Sequence, residues 1–377
     1  MSFSHLGLPD SLLDVLQQQG FEKPTAVQEA AIPAALQGKD LLGIAQTGSG
    51  KTVSYVLPLL KRVAAQPPRP NRHIAALVLV PTRELAVQVA DVMATFGQAY
   101  DGRIKSMAVY GGVSSNPQMM KLHGVHVLIA TPGRLLELVS KKSVHLSEAT
   151  TVVLDEADKL LNLGFKEEID QILALLPQRR QNLLFSATLS EEVKKIHQGL
   201  LHDPVVVKIA PKEQTVEQIA QTAYQVVTEK KGPLLRHLLR QKAWDQVLVF
   251  TSSIYQADLV TEKLRKHGFE ARAIHSKCSN LARTSALHGF KNKQLQVLVA
   301  TDLISRGIDI EFLPCVINYE LPRSPKDFIH RIGRTGRAEA TGEAITFVTP
   351  DELHHFKVIQ KKMKQWVKLT YTEDMDF

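Results

Sequence analysis

Cysteine is nearly absent: Cys278 and Cys315 are the only two in 377 residues. They give no disulfide framework and no metal-ligand spacing, so a cytoplasmic location is the expectation. No apolar run approaches the ~18 residues of a membrane-spanning helix, which removes the membrane as an expected partner. The opening Met1-Ser2-Phe3-Ser4-His5 carries no basic segment followed by an apolar one, so no signal peptide is expected. Charge of one sign is not in large excess either. Lys and Arg number 46 against 38 Asp and Glu, a formal net charge of +8 with pI near 9.3. This mild bias favours a polyanionic partner without being specific for one. It is unevenly spread: 21 basic against 19 acidic residues over 1–209, leaving 25 against 19 over 210–377.

What is present is core-forming and regular. Hydrophobic residues make up 44% of the chain and the mean hydropathy is -0.08, values of a globular protein. The length predicts about two to three domains. A first helix is expected from Leu8-Pro9-Asp10, with Leu12, Leu13, Val15 and Leu16 on its apolar face and Gly20 at its end. Thr25, after Pro24, can begin a second helix with Gln28 in its first turn. Short β-branched runs then alternate with helical ones: 40–44, 76–80, 105–110, 125–129, 151–154 and 182–185. Nearly continuous apolar runs of this length suit buried parallel strands, and regular alternation with helices argues for a doubly wound α/β sheet. A second series follows at 222–227, 247–250, 271–275, 297–300, 316–319 and 344–348, similar in order but without sequence repeat. The pattern predicts an N-terminal domain over 1–209, a linker over 210–220 that includes Pro211, and a C-terminal domain over 221–377. The tail from Leu353 to Lys368 is basic and helical in pattern, and the acidic end after it is expected to fray.

One stretch organises the rest. Ala45-Gln46-Thr47-Gly48-Ser49-Gly50-Lys51-Thr52 follows an apolar run and precedes a helical one. Glycines let successive backbone N–H groups curl around one anion, and the helix start adds its free N–H groups and positive dipole end. Lys51 can reach β- and γ-phosphates, and the Thr52 hydroxyl can ligate Mg²⁺. The strict pattern opens with Gly, where this chain has Ala45. After the run 151–154 comes Asp155-Glu156-Ala157-Asp158. Acids at a strand end beside a phosphate loop are where Mg²⁺ is held, which gives Asp155 that role, through a water or directly, and Glu156 the orientation and deprotonation of an attacking water. Alone, such a tetrad is more often a solvated turn.

The acidic tetrad spells the signature of the DEAD-box ATP-dependent RNA helicases of superfamily 2, and the chain resembles them over nearly its whole length. In order come Gly20–Gln28, resembling the family's adenine-reading segment, and Ala45–Thr52, where an opening Ala is normal for that family. Then come Pro81-Thr82-Arg83-Glu84-Leu85-Ala86, Gly111-Gly112, Thr131-Pro132-Gly133-Arg134 and Ser186-Ala187-Thr188. The second half carries Val249-Phe250-Thr251-Ser252, the run Ala300–Asp309, and His330-Arg331-Ile332-Gly333-Arg334-Thr335-Gly336-Arg337. The N-terminal half looks most like the bacterial RhlE-like branch.

The resemblance implies two RecA-like doubly wound parallel-sheet domains joined by a flexible linker, an RNA-stimulated ATPase, and local, non-processive unwinding of RNA duplexes or remodelling of RNP. ATP and Mg²⁺ are the implied cofactors. Nucleotide would contact Phe21, Gln28, Gln46, Thr47, Gly48, Ser49, Gly50, Lys51, Thr52 and Asp309. An amide such as that of Gln28 has the geometry to pair with N6 and N7 of adenine. Phe21 can stack on the base, and Phe3 matches the family's upstream aromatic; both can equally be core residues. Arg334 and Arg337 would act as arginine fingers across the domain cleft. RNA would contact Arg83, Gly111, Gly112, Thr131, Gly133, Arg134, Ser252, Arg283, Thr301 and Gly307. Backbone N–H groups and guanidinium forks at such positions grip phosphates without reading bases, and the scarcity of aromatics there suits sequence-tolerant binding. Asp158, Ser186, Thr188, Asp302 and His330 would couple the domains, although hydroxyls such as Ser186 and Thr188 can also simply cap a helix. A monomer working on RNA, with ribosomal or other RNP proteins as partners, is the implied setting.

The chain departs from the family at Ser276-Lys277-Cys278-Ser279-Asn280-Leu281-Ala282-Arg283, where the pattern expects Gly-Asp-x-Ser-Gln-x-x-Arg. Lys277 replaces an acid, and Asn280 is one methylene shorter than Gln. An ATP-gated RNA clamp or assembly platform would carry the same motifs, and a DNA-directed superfamily 2 motor is the other alternative.

Overall fold

Four-residue strands whose side chains are all buried can exist only inside a sheet covered on both faces, and that is what these sequences build. The structure, a computed structural model, describes residues 2–46, 48–67, 69–209, 219–302, 313–336, 342–363 and 365–372, without the side chains of Asn280, Leu281, Thr284 and Lys326. The chain divides into two units, Met1–Pro211 and Lys212–Phe377.

The first unit carries helices α1 (Asp10–Gln18) and α2 (Ala26–Leu36), strand β1 (Leu41–Ile44), α3 (Lys51–Ala64), β2 (Ala76–Leu79), α4 (Arg83–Gly97) and β3 (Ser106–Val109). It continues through α5 (Asn116–Lys121), β4 (Val127–Ala130), α6 (Pro132–Ser140), β5 (Thr151–Leu154), α7 (Ala157–Asn162), α8 (Lys166–Ala174), β6 (Gln181–Ser186), α9 (Glu191–Leu200) and β7 (Val205–Lys208). The strands form one sheet in the order β3-β4-β2-β5-β6-β1-β7, with every pairing parallel. Alternation splits the inner strands between two cores, while the edge strand β7 packs Val205 and Val207 on one and exposes Val206. Leu41, Ala76 and Val78 pack with α1 to α4 on one face, while Leu42, Leu77 and Leu79 pack with α6 to α9 on the other.

The second unit holds β8 (Ile219–Gln225), α10 (Lys231–Lys242), β9 (Val247–Thr251), α11 (Ile254–Lys266), β10 (Ala271–Ile274), α12 (Asn280–Lys291), β11 (Val297–Thr301) and β12 (Cys315–Asn318). The helix Pro325–Ile332, β13 (Gly342–Val348), the helix Leu353–Met363 and β14 (Leu369–Tyr371) follow. Its strand order, β10-β11-β9-β12-β13-β8-β14, is again all parallel and repeats the first order with seven added to each number. Two units of unlike sequence thus share one topology. The two-domain parallel-sheet expectation holds.

Three local expectations change. Ile219 and Ala220, assigned to the linker, open β8 and pair with Gly342 and Glu343; the rest of that segment, 210–218, lies outside the described residues. The helical tail stops at Met363, and Leu369–Tyr371 is a strand beside β8. Three residues are too few to show alternation, which is why the sequence reads through them. The end that is expected to fray, 371–377, is ordered at its start, where Tyr371 pairs with Gln225 and the Thr372 hydroxyl donates to Gln225 O; 373–377 lies outside the described residues. Among the described residues no helix is long and apolar enough to cross a membrane.

Candidate nucleotide and nucleic-acid sites

Parallel strands deliver their carboxyl ends to one edge of a sheet, and functional loops gather there. In the first unit β5, β6 and β1 are adjacent, so Asp155, Ser186 and the loop after Ile44 emerge together. The Ala45 N–H donates to Ser186 O at 3.0 Å, which ties the phosphate loop to the neighbouring strand end. Gly48 and Gly50 have φ of +78° and +91°, left-handed values that free the loop's curl. A Cβ on Gly50 would lie 2.6 Å from Gln28 Nε2, so glycine is also demanded by contact. Lys51 opens α3; its ammonium is buried and donates to Ala45 O at 2.5 Å.

Facing that lysine is the acidic turn. Asp155 is 2% exposed, and its Oδ1 accepts from the Glu156 N–H at 2.8 Å. Glu156 sits at φ +50°, ψ +49°, an unusual left-handed position for a non-glycine residue and one that clusters at functional sites. Its Oε1 accepts from Lys159 Nζ at 2.7 Å, while its Oε2 is buried without a hydrogen-bond partner. Burial pushes the Asp155 and Glu156 carboxyls up and the Lys51 ammonium down, and each of Asp155, Glu156 and Asp158 pulls the Lys51 value back up. A cation and carboxylates thus share one poorly solvated spot. Oxygen donors only, from Asp155 and Thr52, beside the orphaned Glu156 Oε2, fit a hard divalent cation such as Mg²⁺.

Gln28 is 1% exposed, rather than a helix-surface residue, and both ends of its amide have partners. Its Oε1 accepts from the Thr25 N–H at 2.9 Å, closing a capping box, and its Nε2 donates to Gly50 O at 3.3 Å. The Thr25 hydroxyl donates to Ser49 O at 2.8 Å. The segment around Thr25 and Gln28 therefore buttresses the glycine loop directly. Phe21 stands edge-on to Phe3 and Phe96, with centroids 6.5 and 5.8 Å away, and Phe3 is core, at 4% exposure. Ser49 Oγ donates to Gln46 O at 2.7 Å. Thr47 lies outside the described residues.

The coupling set of this unit is brought together: Thr188 Oγ1 donates to Asp158 Oδ2 at 2.9 Å, and Ser186 Oγ donates to Thr188 O at 2.7 Å. Among the RNA candidates, Gly111, Gly112 and Gly133 are exposed, whereas Arg134 and Thr131 are buried. Arg134 Nη2 donates to Val113 O at 2.6 Å and its Nε to Glu137 at 2.9 Å, leaving Nη1 buried without a partner. Arg83 bonds Glu84 at 3.3 Å and lies 6.0 Å over the Tyr110 ring.

In the second unit Ser252 follows β9, and both its N–H and its hydroxyl donate to Glu320. Asp302 receives a fork from Arg331, at 2.5 Å from Nε and 2.8 Å from Nη2. Arg331 is 1% exposed, also donates to Asn318 and to Glu320 O, and lies 5.0 Å over the Phe250 ring. His330 and Arg334 have partners, as has Arg283. Thr301 ends β11 and is buried. Lys277 is exposed, and Ser279 caps α12 by accepting from the Ala282 N–H at 3.3 Å. Arg337, Asp309 and Gly307 lie outside the described residues, as does the Asn280 side chain.

Sequence reasoning missed three residues here: Arg331, Glu320 and Tyr55, whose phenol donates to Asp155 at 2.8 Å. Arg331 stands inside a motif quoted from the sequence; the other two carry no local signal.

A glycine-curled loop before a helix, with a buried lysine facing carboxylates at a strand end, defines a nucleoside-triphosphate site. Comparison with known proteins narrows the class. A DEAD/DEAH box helicase family model matches residues 25–196, and a helicase conserved C-terminal domain matches residues 230–339. The DEAD-box ATP-dependent RNA helicase CshA of Geobacillus kaustophilus is 39% identical over 381 residues, covering 100% of this chain and 80% of its own. The Bacillus anthracis protein of the same name is 40% identical over 366 residues, covering 97% and 68%. Saccharomyces cerevisiae Dbp5 bound to RNA and ADP BeF3 superposes with a TM-score of 0.83 at 29% identity, covering 99% of this chain and 96% of that one. A point variant of Dbp5 bound to Gle1 and IP6 gives 0.80 at 29%, covering 99% and 95%. This chain belongs to the DEAD-box ATP-dependent RNA helicases.

Proposed function

We propose that this protein is an RNA-stimulated ATPase that opens short RNA duplexes or remodels RNP locally, and that the residues assembled around Lys51 perform the hydrolysis. The observation that carries this is the buried Lys51 held among the charges of Asp155, Glu156 and Asp158 at the mouth of the glycine loop. In this reading the loop N–H groups and Lys51 bind the β- and γ-phosphates, and the Gln28 contact to Gly50 makes adenine recognition and loop shape one unit. Thr52, and Asp155 directly or through a water, would hold Mg²⁺, which would supply charge neutralisation of the triphosphate. Glu156 orients the attacking water and accepts its proton. Its orphaned Oε2 is an open acceptor, and burial makes the carboxylate more basic than usual. Arg334 and Arg337 stabilise charge developing on the γ-phosphate, and Asp309 contacts the ribose.

Gly111, Gly112 and Gly133 offer exposed backbone to RNA phosphates, Arg83, Thr131 and Arg134 complete that set with the unpartnered Nη1 of the otherwise engaged, buried Arg134 as its donor, and Ser252, Arg283, Thr301 and Gly307 contribute from the second unit. RNA bound to the neighbour Dbp5 supports that assignment, and Gle1 on the same neighbour supports protein partners, here ribosomal or RNP-associated. The protein works as a cytoplasmic monomer in this account. ATP turnover measured alone, with single-stranded RNA and with matched DNA tests it. Stimulation by RNA only is expected; stimulation by DNA alone or by neither overturns it. Glu156→Gln should retain ATP and RNA binding while turnover falls by at least ~100-fold.

A further inference from the structure

Tyr55 lies on α3 one helical turn beyond Lys51, with no solvent exposure. Its ring packs on Phe185 of β6, with centroids 5.3 Å apart. Packing needs only the ring. A phenol hydroxyl sealed in the core is unfavourable unless it is hydrogen-bonded, and here it donates to Asp155 Oδ2 at 2.8 Å. The other oxygen of the same carboxylate accepts from the Glu156 N–H, also at 2.8 Å. Asp155 is thus held at both oxygens, once by its own turn and once by the helix that carries Lys51 and Thr52.

We propose that Tyr55 is a positioning residue for the metal–nucleotide complex: its hydroxyl locks the Asp155 carboxylate in register with Lys51 and Thr52, so that the remaining lone pairs of Asp155 are fixed toward the divalent cation. This rests on the assignment of Asp155 to Mg²⁺. The bond joins the two halves of the site, since the phosphate-gripping helix and the metal-holding strand end are otherwise on separate elements. A rotation of Asp155 in the absence of the phenol would misdirect its lone pairs without disturbing the glycine loop.

Tyr55→Phe removes only the hydroxyl. Binding of a fluorescent, non-hydrolysable ATP analogue is measured across a Mg²⁺ titration and in EDTA, for the wild type, Tyr55→Phe and Asp155→Asn. The expected result is a roughly three- to tenfold rise in the Mg²⁺ concentration at half-saturation for Tyr55→Phe, the scale of an ordinary hydrogen bond, with affinity in EDTA retained. A Mg²⁺ dependence unchanged in Tyr55→Phe but shifted in Asp155→Asn overturns the positioning role. Equal weakening with and without Mg²⁺ in Tyr55→Phe overturns it too, since the hydroxyl would then merely support the loop. If Asp155→Asn itself leaves the Mg²⁺ dependence untouched, the metal assignment of Asp155 is what fails.

Discussion

Glu320 Oε2 accepts from both the backbone N–H and the hydroxyl of Ser252, each at 2.7 Å. Those two donors are the ones the RNA reading gives to a phosphate. A carboxylate oxygen therefore already occupies an anion position at the end of β9.

Removing that charge should strengthen RNA binding. Glu320→Gln is expected to tighten single-stranded RNA by roughly two- to fivefold at low salt, the range of an exposed charge interaction. The gain should vanish toward 1 M salt, where the Debye length is about 3 Å. Fluorescence anisotropy over a salt series reads both effects. Identical curves for the two proteins at every salt concentration would remove Ser252 and Glu320 from the RNA path.

Arg331 should matter for folding of the second unit before it matters for coupling. It is buried and fully engaged with Asp302, Asn318 and Glu320. Truncating one partner of a fully buried ion pair costs about 3–5 kcal/mol, and the partial exposure of Asp302 places this pair at or below the lower end. Arg331→Ala should lower the urea midpoint of the second unit by a corresponding amount. Lys cannot replace the fork at this site, so Arg331→Lys should rescue little.

Two glycines separate backbone strain from contact. Gly20 has φ +77° and open space where a Cβ would stand, whereas Gly50 has φ +91° and Gln28 in the way. Gly20→Ala should cost about 1 kcal/mol, the backbone part alone. Gly50→Ala should cost more and abolish ATP binding. Thermal unfolding and nucleotide titration of both variants check this, and equal behaviour of the two would count against the Gln28–Gly50 contact.

The two thiols should differ in reactivity. Burial raises the pKa of the Cys315 thiol, so in the folded protein it stays protonated and shielded at pH 8. Cys278 is partly exposed. Iodoacetamide should therefore alkylate Cys278 and spare Cys315 until urea is added, as peptide mass mapping can show. Labelling of Cys315 in the native protein would contradict its burial.

The architecture was legible because buried parallel strands announce themselves: runs such as Ala76–Leu79 and Val297–Thr301 contain little but β-branched and aliphatic residues. The start of α2 was legible because Thr25 follows Pro24; the capping box that Gln28 closes there shows only in the structure. What stayed hidden depends on distance along the chain. Tyr55 and Asp155 are 100 positions apart, and Arg331 and Asp302 are 29 apart; neither pairing leaves a local pattern. Phe3 could be read as core or as the family's upstream aromatic, and its 4% exposure beside Phe21 shows that it is packed in the core. The polar neighbours of Ile219 concealed the start of β8, whose pairing with β13 is what makes it a strand.

The pairing of β14 with β8 has a mechanical side. Leu369, Thr370 and Tyr371 lie in parallel register with Ala223, Tyr224 and Gln225, and the Thr372 hydroxyl adds a bond to Gln225 O at 2.8 Å. A pull applied where β8 begins and where β14 ends therefore runs along the ladder rather than across it. Its hydrogen bonds are loaded in shear, all together, instead of being peeled one at a time. Three residues of strand act as a latch on the second unit, closing it against tension between its entry and exit strands.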